Sequence, residues 1–230
     1  MNIQRIGAIF EKDMKDFTKN MMLLTMPLIP VILALIYNRM SDEGLGTFLS
    51  YLIVGLTFSS VTSTIMMTMM AEENEKKTLR GLIQSPASFL DIIVGNSLVT
   101  GLITLIALVV SLLIVGIEPF LSFRVIIGLL LLFFFFLLLG IGIGLFSKSI
   151  ASTSVYMMPV MFLFGFTPMF GTFGLEEDSI IMKITNTFPV MQAIENHDTS
   201  SWLPLGIIAV WVIGAALFTY VCFKKTTTDD

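Results

Sequence analysis

The sequence predicts an all-α polytopic membrane protein with six transmembrane helices, and three observations carry that prediction. The chain has 230 residues, of which 55% are hydrophobic and only 13% are charged. Its apolar residues fall into six runs of roughly membrane length, since a bilayer core of ~30 Å needs ~20 apolar residues per helix. No soluble core could bury that many uninterrupted runs in so short a chain. The polar residues gather between the runs, in an N-terminal amphipathic segment, a central charged stretch and a late acidic segment. One membrane domain over residues 1–230 is therefore expected, with an interfacial helix at 1–20, a docking helix at 71–88 and an extracellular or re-entrant segment at 171–203.

Residues Ile3–Lys19 place Ile3, Ile6, Phe10, Met14 and Phe17 at steps of three and four, with Arg5, Glu11, Lys12, Lys15, Asp16 and Lys19 between them. That spacing predicts a helix lying in the membrane interface. It carries no cleavable-leader pattern, so the first span is expected to direct insertion. Span one, about Met21–Tyr37, holds Pro27 and Pro30 and should kink. Span two, Thr47–Met70, ends in the run Thr62-Ser-Thr-Ile-Met-Met-Thr-Met-Met70. Span three is Ile92–Gly116, with Asp91 leading in. Span four, Val125–Phe146, contains Phe133–Phe136. Span five, Ile150–Phe170, is interrupted by Pro159 and Pro168. Two short amphipathic pieces, Ile180–Ile184 and Phe188–Ile194, lie in the acidic segment. Span six is Pro204–Phe223.

Between spans two and three lies Ala71–Ser88, AEENEKKTLRGLIQSPAS. Glu72, Glu73, Glu75, Lys76, Lys77 and Arg80 open it, and Leu79, Leu82 and Ile83 then fall three and four residues apart, on one side of a short helix. Ser85-Pro86 ends helix geometry. A short amphipathic helix between two spans is suited to docking a soluble partner.

Orientation follows from Lys and Arg. Arg5, Lys12, Lys15, Lys19, Lys76, Lys77, Arg80, Lys148, Lys224 and Lys225 share one side, and only Arg39, Arg124 and Lys183 lie on the other. Both termini and Ala71–Ser88 are thus expected in the cytoplasm of a multi-pass plasma-membrane protein, with the acidic segment outside.

The span interiors carry no Asp, Glu, Lys, Arg or His. Ion-coupled carriers generally need such residues, because only function retains a charge at that depth. No HExxH occurs, and the sole histidine, His197, reads as an exposed loop residue. No metal site and no catalytic residue is expected. Gly140, Gly142 and Gly144 superficially resemble a nucleotide loop, but they lie inside an apolar helix with no preceding strand. Close packing through Gly140 and Gly144 is the better reading. The lone cysteine, Cys222, excludes an intrachain disulfide. Met66, Met67, Met69 and Met70 have no Cys or His beside them and are first of all adaptable packing. Their functional reading is a passage lined by Thr62, Met66, Met67, Met70, Met157 and Met161, uncharged and able to repack around varied ligands.

The run from Glu72 to Ser88 resembles the membrane subunits of type-2 ATP-binding-cassette exporters, with its acidic start, Thr78-Leu79 pair, Leu82-Ile83 pair and Ser85-Pro86 before span three. Lys76-Lys77-Thr78 departs from the Arg/Lys-Gly-Thr of many relatives. The resemblance implies that Ala71–Ser88 is a coupling helix seated in a separate ATPase subunit. Leu79, Leu82 and Ile83 would be its apolar anchors, and Glu72, Glu73, Lys76, Lys77 and Arg80 would set its register, with Ser85 and Pro86 closing the segment. It implies ATP and Mg on that partner, none bound by this chain, and a second permease subunit. Size and layout are similar to small bacterial permeases exporting antimicrobial or amphipathic peptides and hydrophobic drugs. No nucleic-acid partner is implied. The competing reading is a non-transport assembly or sensor protein whose central helix binds another partner.

Overall fold

The computed structural model describes residues 3–40, 46–75, 89–173 and 179–228. Among these the chain is helical, with no strand. Helix α1 (Ile3–Lys19) leads into the short α2 (Met21–Thr25) and α3 (Leu28–Met40). Asn20 caps α2, its side chain accepting from the backbone N–H of Met22 at 3.1 Å and Leu23 at 3.3 Å. The expected kink falls at Met26-Pro27, between α2 and α3. Pro30 is accommodated in the first turn of α3, where no intrahelical donor is needed.

Helix α4 (Thr47–Glu75) is span two, and it runs five residues further than the sequence predicts. Ala71–Glu75, expected to open a separate docking helix, instead continues the span, because Glu73, Asn74 and Glu75 each find a partner on a neighbouring element. Span three is α5 (Phe89–Val115), closed by Gly116 at φ 107°, a left-handed position suited to glycine. Span four is α6 (Phe123–Phe146). Among the described residues, five helices are long and apolar enough to cross a membrane: Met21–Met40, Thr47–Glu75, Asp91–Val115, Phe123–Phe146 and Leu203–Thr226.

The fifth expected span is shorter than predicted. Helix α7 (Ile150–Gly165) covers 16 residues and changes to π geometry at Met161, two residues after Pro159. There the Phe166 N–H reaches back to Met161 O at 2.9 Å, and a 3-10 segment, Thr167–Phe173, follows. A proline lacks the donor that α geometry requires, and the wider turn absorbs the mismatch. The two amphipathic pieces are α8 (Ile180–Asn186) and α9 (Pro189–Asp198), and α10 (Leu203–Thr228) closes the bundle.

Interactions sort these elements into two ends. At one, α1, the foot of α4, the start of α5, the α6–α7 turn and the end of α10 meet. At the other, the start of α6 is tied to the end of α9 and the residues after it. Arg124 donates to Asn196 Oδ1 at 3.0 Å, to Thr199 O at 2.9 Å and to Ser201 O, with its guanidinium 5.2 Å from the Trp202 ring centre. His197 is not an exposed loop residue. It is half-buried, with Nδ1 3.3 Å from Tyr51 Oη and its ring edge-on to Tyr51 and Phe120. The α9 helix carries it inward, which its acidic sequence neighbours conceal.

Candidate functional site at the foot of the central helix

Helix α4 is the pillar of the bundle, buried along the whole of its membrane-crossing window. Between Thr57 and Ser63 it adopts π geometry. Hydroxyls satisfy the carbonyls disturbed by this widening: Thr57 donates to Ile53 O at 2.8 Å, Ser60 to Leu56 O at 2.6 Å and Thr64 to Ser59 O at 3.3 Å. Inside a bilayer such groups have no water to turn to, so a hydroxyl-rich segment is what makes the irregular turn tolerable. Gly55 and Gly165 let this segment approach the π turn of α7 closely, since a Cβ on Gly55 would lie 2.8 Å from Gly165 O.

Four of the six residues expected to line a passage stand on α4. Thr62, Met66, Met67 and Met70 are all fully buried. Thr62 shares a 2.9 Å hydrogen bond with Thr104 of α5, and Thr100 donates to the Met66 sulfur at 3.7 Å and to that of Met69 at 4.0 Å. On the opposite side α4 meets the glycines of α6. A Cβ on Gly140 would lie 2.7 Å from Ser63 O and 3.2 Å from Met66 Cβ, and one on Gly144 2.6 Å from Met70 Cβ. Gly142 points the other way, toward Phe218 and Thr219 of α10. The alternating glycines therefore serve two helix contacts, as packing elements and not as a nucleotide loop. Met157 and Met161 lie apart on α7 and are half-buried; Met157 packs on the same apolar cluster as Met67. The structure thus seals the α4 group inside the packed bundle.

At the foot of α4, Glu73 is 4% exposed and faces α1. Lys12 Nζ lies 3.4 Å from Glu73 Oε1 and 3.2 Å from Asp13 Oδ1. Asp13 is itself buried, and with its amide nitrogen turned toward acceptors Asn96 donates to Asp13 Oδ2 at 2.5 Å and to Ile92 O at 3.1 Å. Burial pushes the Asp13 carboxyl above its ordinary value; Lys12 opposes the rise, and the Asp16 and Glu72 charges add to it. Burial acts against the Lys12 charge, but Asp13 and Glu73 together hold its ammonium above the usual lysine value. Helix α1 consequently buries Ile6, Ile9, Asp13 and Phe17, and not the whole predicted stripe, because Ile3 is exposed. Ile9 seats on Gly95, where a Cβ would come within 2.5 Å of its side chain.

The next two residues hold the α6–α7 turn. Asn74 Nδ2 donates to Ser147 O at 2.8 Å and to Leu145 O at 3.3 Å. Glu75 Oε2 accepts from the Ile150 N–H at 2.8 Å, adding to the Ser149–Ser152 capping box at the start of α7. Neither residue was singled out by sequence as a clasp. The capping box was legible as Ser149-x-x-Ser152, but a carboxylate 75 positions away was not.

Of the expected docking residues, Glu72 is half-buried on this foot and Glu73 is turned inward. Lys76, Lys77, Leu79, Arg80, Leu82, Ile83, Ser85 and Pro86 lie outside the described residues. No group of three or more His, Cys, Asp or Glu suited to a metal occurs among the described residues. What the arrangement offers is mechanical. The helix turn directly before the charged stretch grips α1 through Glu73 and the α6–α7 turn through Asn74 and Glu75.

A comparison with curated proteins gives no match to this chain. A family model described as ABC-2 family transporter protein matches residues 2–222. Matched over nearly its whole length, on an all-helical bundle with five membrane-length helices, the chain belongs to the ABC-2 transporter family and is a transmembrane permease subunit.

Proposed function

We propose that this permease is the membrane half of an ATP-driven exporter, carrying amphipathic peptides or hydrophobic drugs outward. Energy comes from a separate ATP-binding-cassette ATPase that binds ATP and Mg, and two permease chains, identical or related, pair in the bilayer. Both termini face the cytoplasm, in keeping with the Lys/Arg excess at their end of the bundle. The ATPase grips the stretch that follows Glu75, with Leu79, Leu82 and Ile83 as apolar anchors.

The observation that carries this reading is the clasp at the foot of α4. Force applied to the stretch after Glu75 passes at once to α1, through the Lys12–Glu73 pair, and to the α6–α7 turn, through Asn74 and Glu75. Closure of an ATPase pair on ATP then shifts the bundle between two states by differential affinity. The α4–α5 seam is suited to parting. Beside Met66 it is held by hydroxyl-to-thioether contacts of 3.7–4.0 Å, which are weak acceptor interactions, and by flexible methionines that repack readily. The absence of fixed charge along Thr62, Met66, Met67 and Met70 favours hydrophobic or amphipathic cargo.

Leu82→Asp tests the docking role. Copurification with the ATPase and ATP-dependent flux from reconstituted vesicles should both be lost, while membrane insertion is retained. Unchanged copurification and flux would exclude the role. Wild-type vesicles with no nucleotide-dependent flux would favour the assembly or sensor reading.

A further inference from the structure

Spans α5 and α6 follow one another in the chain and each packs on α4, yet the two barely meet each other. Between them lies a cavity of about 310 Å³. Its lining runs from Gly101 to Leu108 on α5 and from Ile126 to Phe133 on α6, ~10 Å along each helix. Exposure gives the direction in which it opens. Leu105, Ile126 and Leu130 are exposed on the lateral surface of the bundle, whereas Phe58, Thr104 and Leu108 are buried. The cavity therefore opens sideways, toward the hydrocarbon around membrane-crossing helices, and ends on Phe58, inside the π turn of α4. Phe58 is held there by stacking on Phe136, with ring centres 6.2 Å apart and planes 13° from parallel. Toward the foot of the bundle the gap narrows at Gly101 and Phe133, where a Cβ on Gly101 would lie 3.3 Å from Phe133 Cζ. Among the described residues Thr104 supplies the one side-chain hydroxyl of the lining, and it is already bonded to Thr62 at 2.9 Å.

We propose that this cavity holds the acyl chain of a membrane lipid, inserted sideways between α5 and α6 against Phe58. Three features select this occupant. The lining is hydrocarbon and aromatic, with its one hydroxyl engaged, and apolar cavities take apolar occupants and exclude water. Its size excludes a second copy of the chain or a partner helix. A helix with its side chains is ~10–12 Å across, and over a run of ~10 Å it needs far more than the volume available. The sideways opening selects the source, because lipid tails are the solvent at that surface. A chain seated there gives Phe58 and Leu108 van der Waals partners on the side that α5 and α6 leave open. It thereby supports the π turn of α4 from without, while the hydroxyls of Thr57, Ser60 and Thr64 support it from within. Through this contact the lipid tails act on the central helix without any recognition of the headgroup. Neither the binding nor its position depends on the exporter reading.

Phosphatidylcholine carrying a mid-chain diazirine, photolysed in vesicles that contain the full-length chain, reads the site by the residues that acquire the label. Adducts are expected on the buried Phe58, Thr104 or Leu108, as well as on Ile106 and Leu113, which are exposed on α5. Phosphatidylglycerol with the same tail should label the buried residues equally, because the lining offers nothing to a headgroup. Leu105→Trp and Leu130→Trp each place an indole at the mouth, and should abolish the buried adducts while those on Ile106 and Leu113 remain. Label confined to exposed residues in the wild type would overturn the proposal, as would undiminished buried label in every Trp variant that folds. A headgroup preference in the buried label would also overturn it. Loss of the buried label on adding rhodamine 6G at a small fraction of the lipid would assign the cavity to hydrophobic cargo, and the lipid assignment would fall. If neither Trp variant is monodisperse, the wild-type arms decide alone. None of these readouts depends on transport, so a failed flux assay with the buried label intact would count against the exporter reading only.

Discussion

The sharpest prediction concerns the seam between α4 and α6. Replacing Gly140 and Gly144 by Ala places one Cβ 2.7 Å from Ser63 O and another 2.6 Å from Met70 Cβ and 2.7 Å from Met67 O. Ordinary contact begins at 3.4 Å, so α6 must draw back by about 0.7 Å over two successive turns. The obstructing atoms are mostly backbone, or Cβ atoms fixed to it, so no rotamer change relieves the clash. Overpacking of this kind costs ~1–3 kcal/mol per site, and in a bilayer there is no hydrophobic drive between helices to hold a widened seam together. At ~2–4 °C per kcal/mol for a chain of this size, the double variant should melt ~4–24 °C below wild type in detergent. Gly206→Ala and Gly214→Ala are the controls, since a Cβ at either position meets nothing within 4 Å and alanine favours the helix. The measurement is loss of the monodisperse size-exclusion peak after heating. A double variant that melts within 1 °C of wild type, or no lower than Gly214→Ala, would refute the close-packing account of this seam.

The clasp residues give further expectations. Lys12→Met leaves two buried carboxylates at the α1–α4 contact without their cation. The Lys12 side chain is 47% exposed, so the expected loss is ~1–2 kcal/mol and not the larger cost of a fully buried pair. A double-mutant cycle with Glu73→Gln should give a coupling of at least ~0.5 kcal/mol, and an additive cycle would remove Lys12–Glu73 as a link. Asp13 sets a pH dependence. Its folded-state value is raised above the ordinary 3.8, so its burial cost is absent below that pH and appears as pH rises through the shifted value. Melting temperature should therefore fall across that window in wild type and lose this component in Asp13→Asn; identical profiles would rule Asp13 out as the titrating group. Glu75→Ala uncaps α7 in part, at ~0.5–1 kcal/mol, and should speed amide exchange in the first turn after Ser149 and not in α6.

Helix positions were largely readable because long apolar runs leave the chain few alternatives in lipid. The ends were less so. Ala71–Glu75 reads as the polar opening of a separate element, and its true state depends on Lys12, Ser147 and Ile150, partners 61 to 75 residues away that no local pattern announces. The sequence pattern assigns Asp13 to neither face of α1, yet it is buried there with Asn96 donating to it. His197 reads as exposed because Asn196 and Asp198 flank it, while the direction of its side chain is set by α9 packing against Tyr51 and Phe120. In each case a polar residue is held by tertiary pairing, which outweighs what its neighbours in sequence imply.

One signal for the central position of span two was nonetheless in the sequence. Of the five membrane-length helices, Thr47–Glu75 is the least hydropathic, and it alone is buried throughout its crossing window; the most apolar two, Asp91–Val115 and Phe123–Phe146, are buried over about half of theirs. In water the most apolar helix goes to the middle. In a bilayer the outer surface is hydrocarbon, and a helix carrying Thr57, Ser59, Ser60, Thr62, Ser63, Thr64 and Thr68 gains nothing by facing it. The hydroxyls of Thr57, Ser59, Ser60 and Thr64 find carbonyls within α4 and that of Thr62 finds Thr104 on α5, and those bonds in turn permit the π turn at Thr57–Ser63. A span rich in Thr, Ser and Met is thus placed at the centre by the same composition that gives it weak, rearrangeable contacts. Beside Met66 its seam with α5 is accordingly held by the thioether contacts of Thr100, at 3.7–4.0 Å, and not by strong hydrogen bonds.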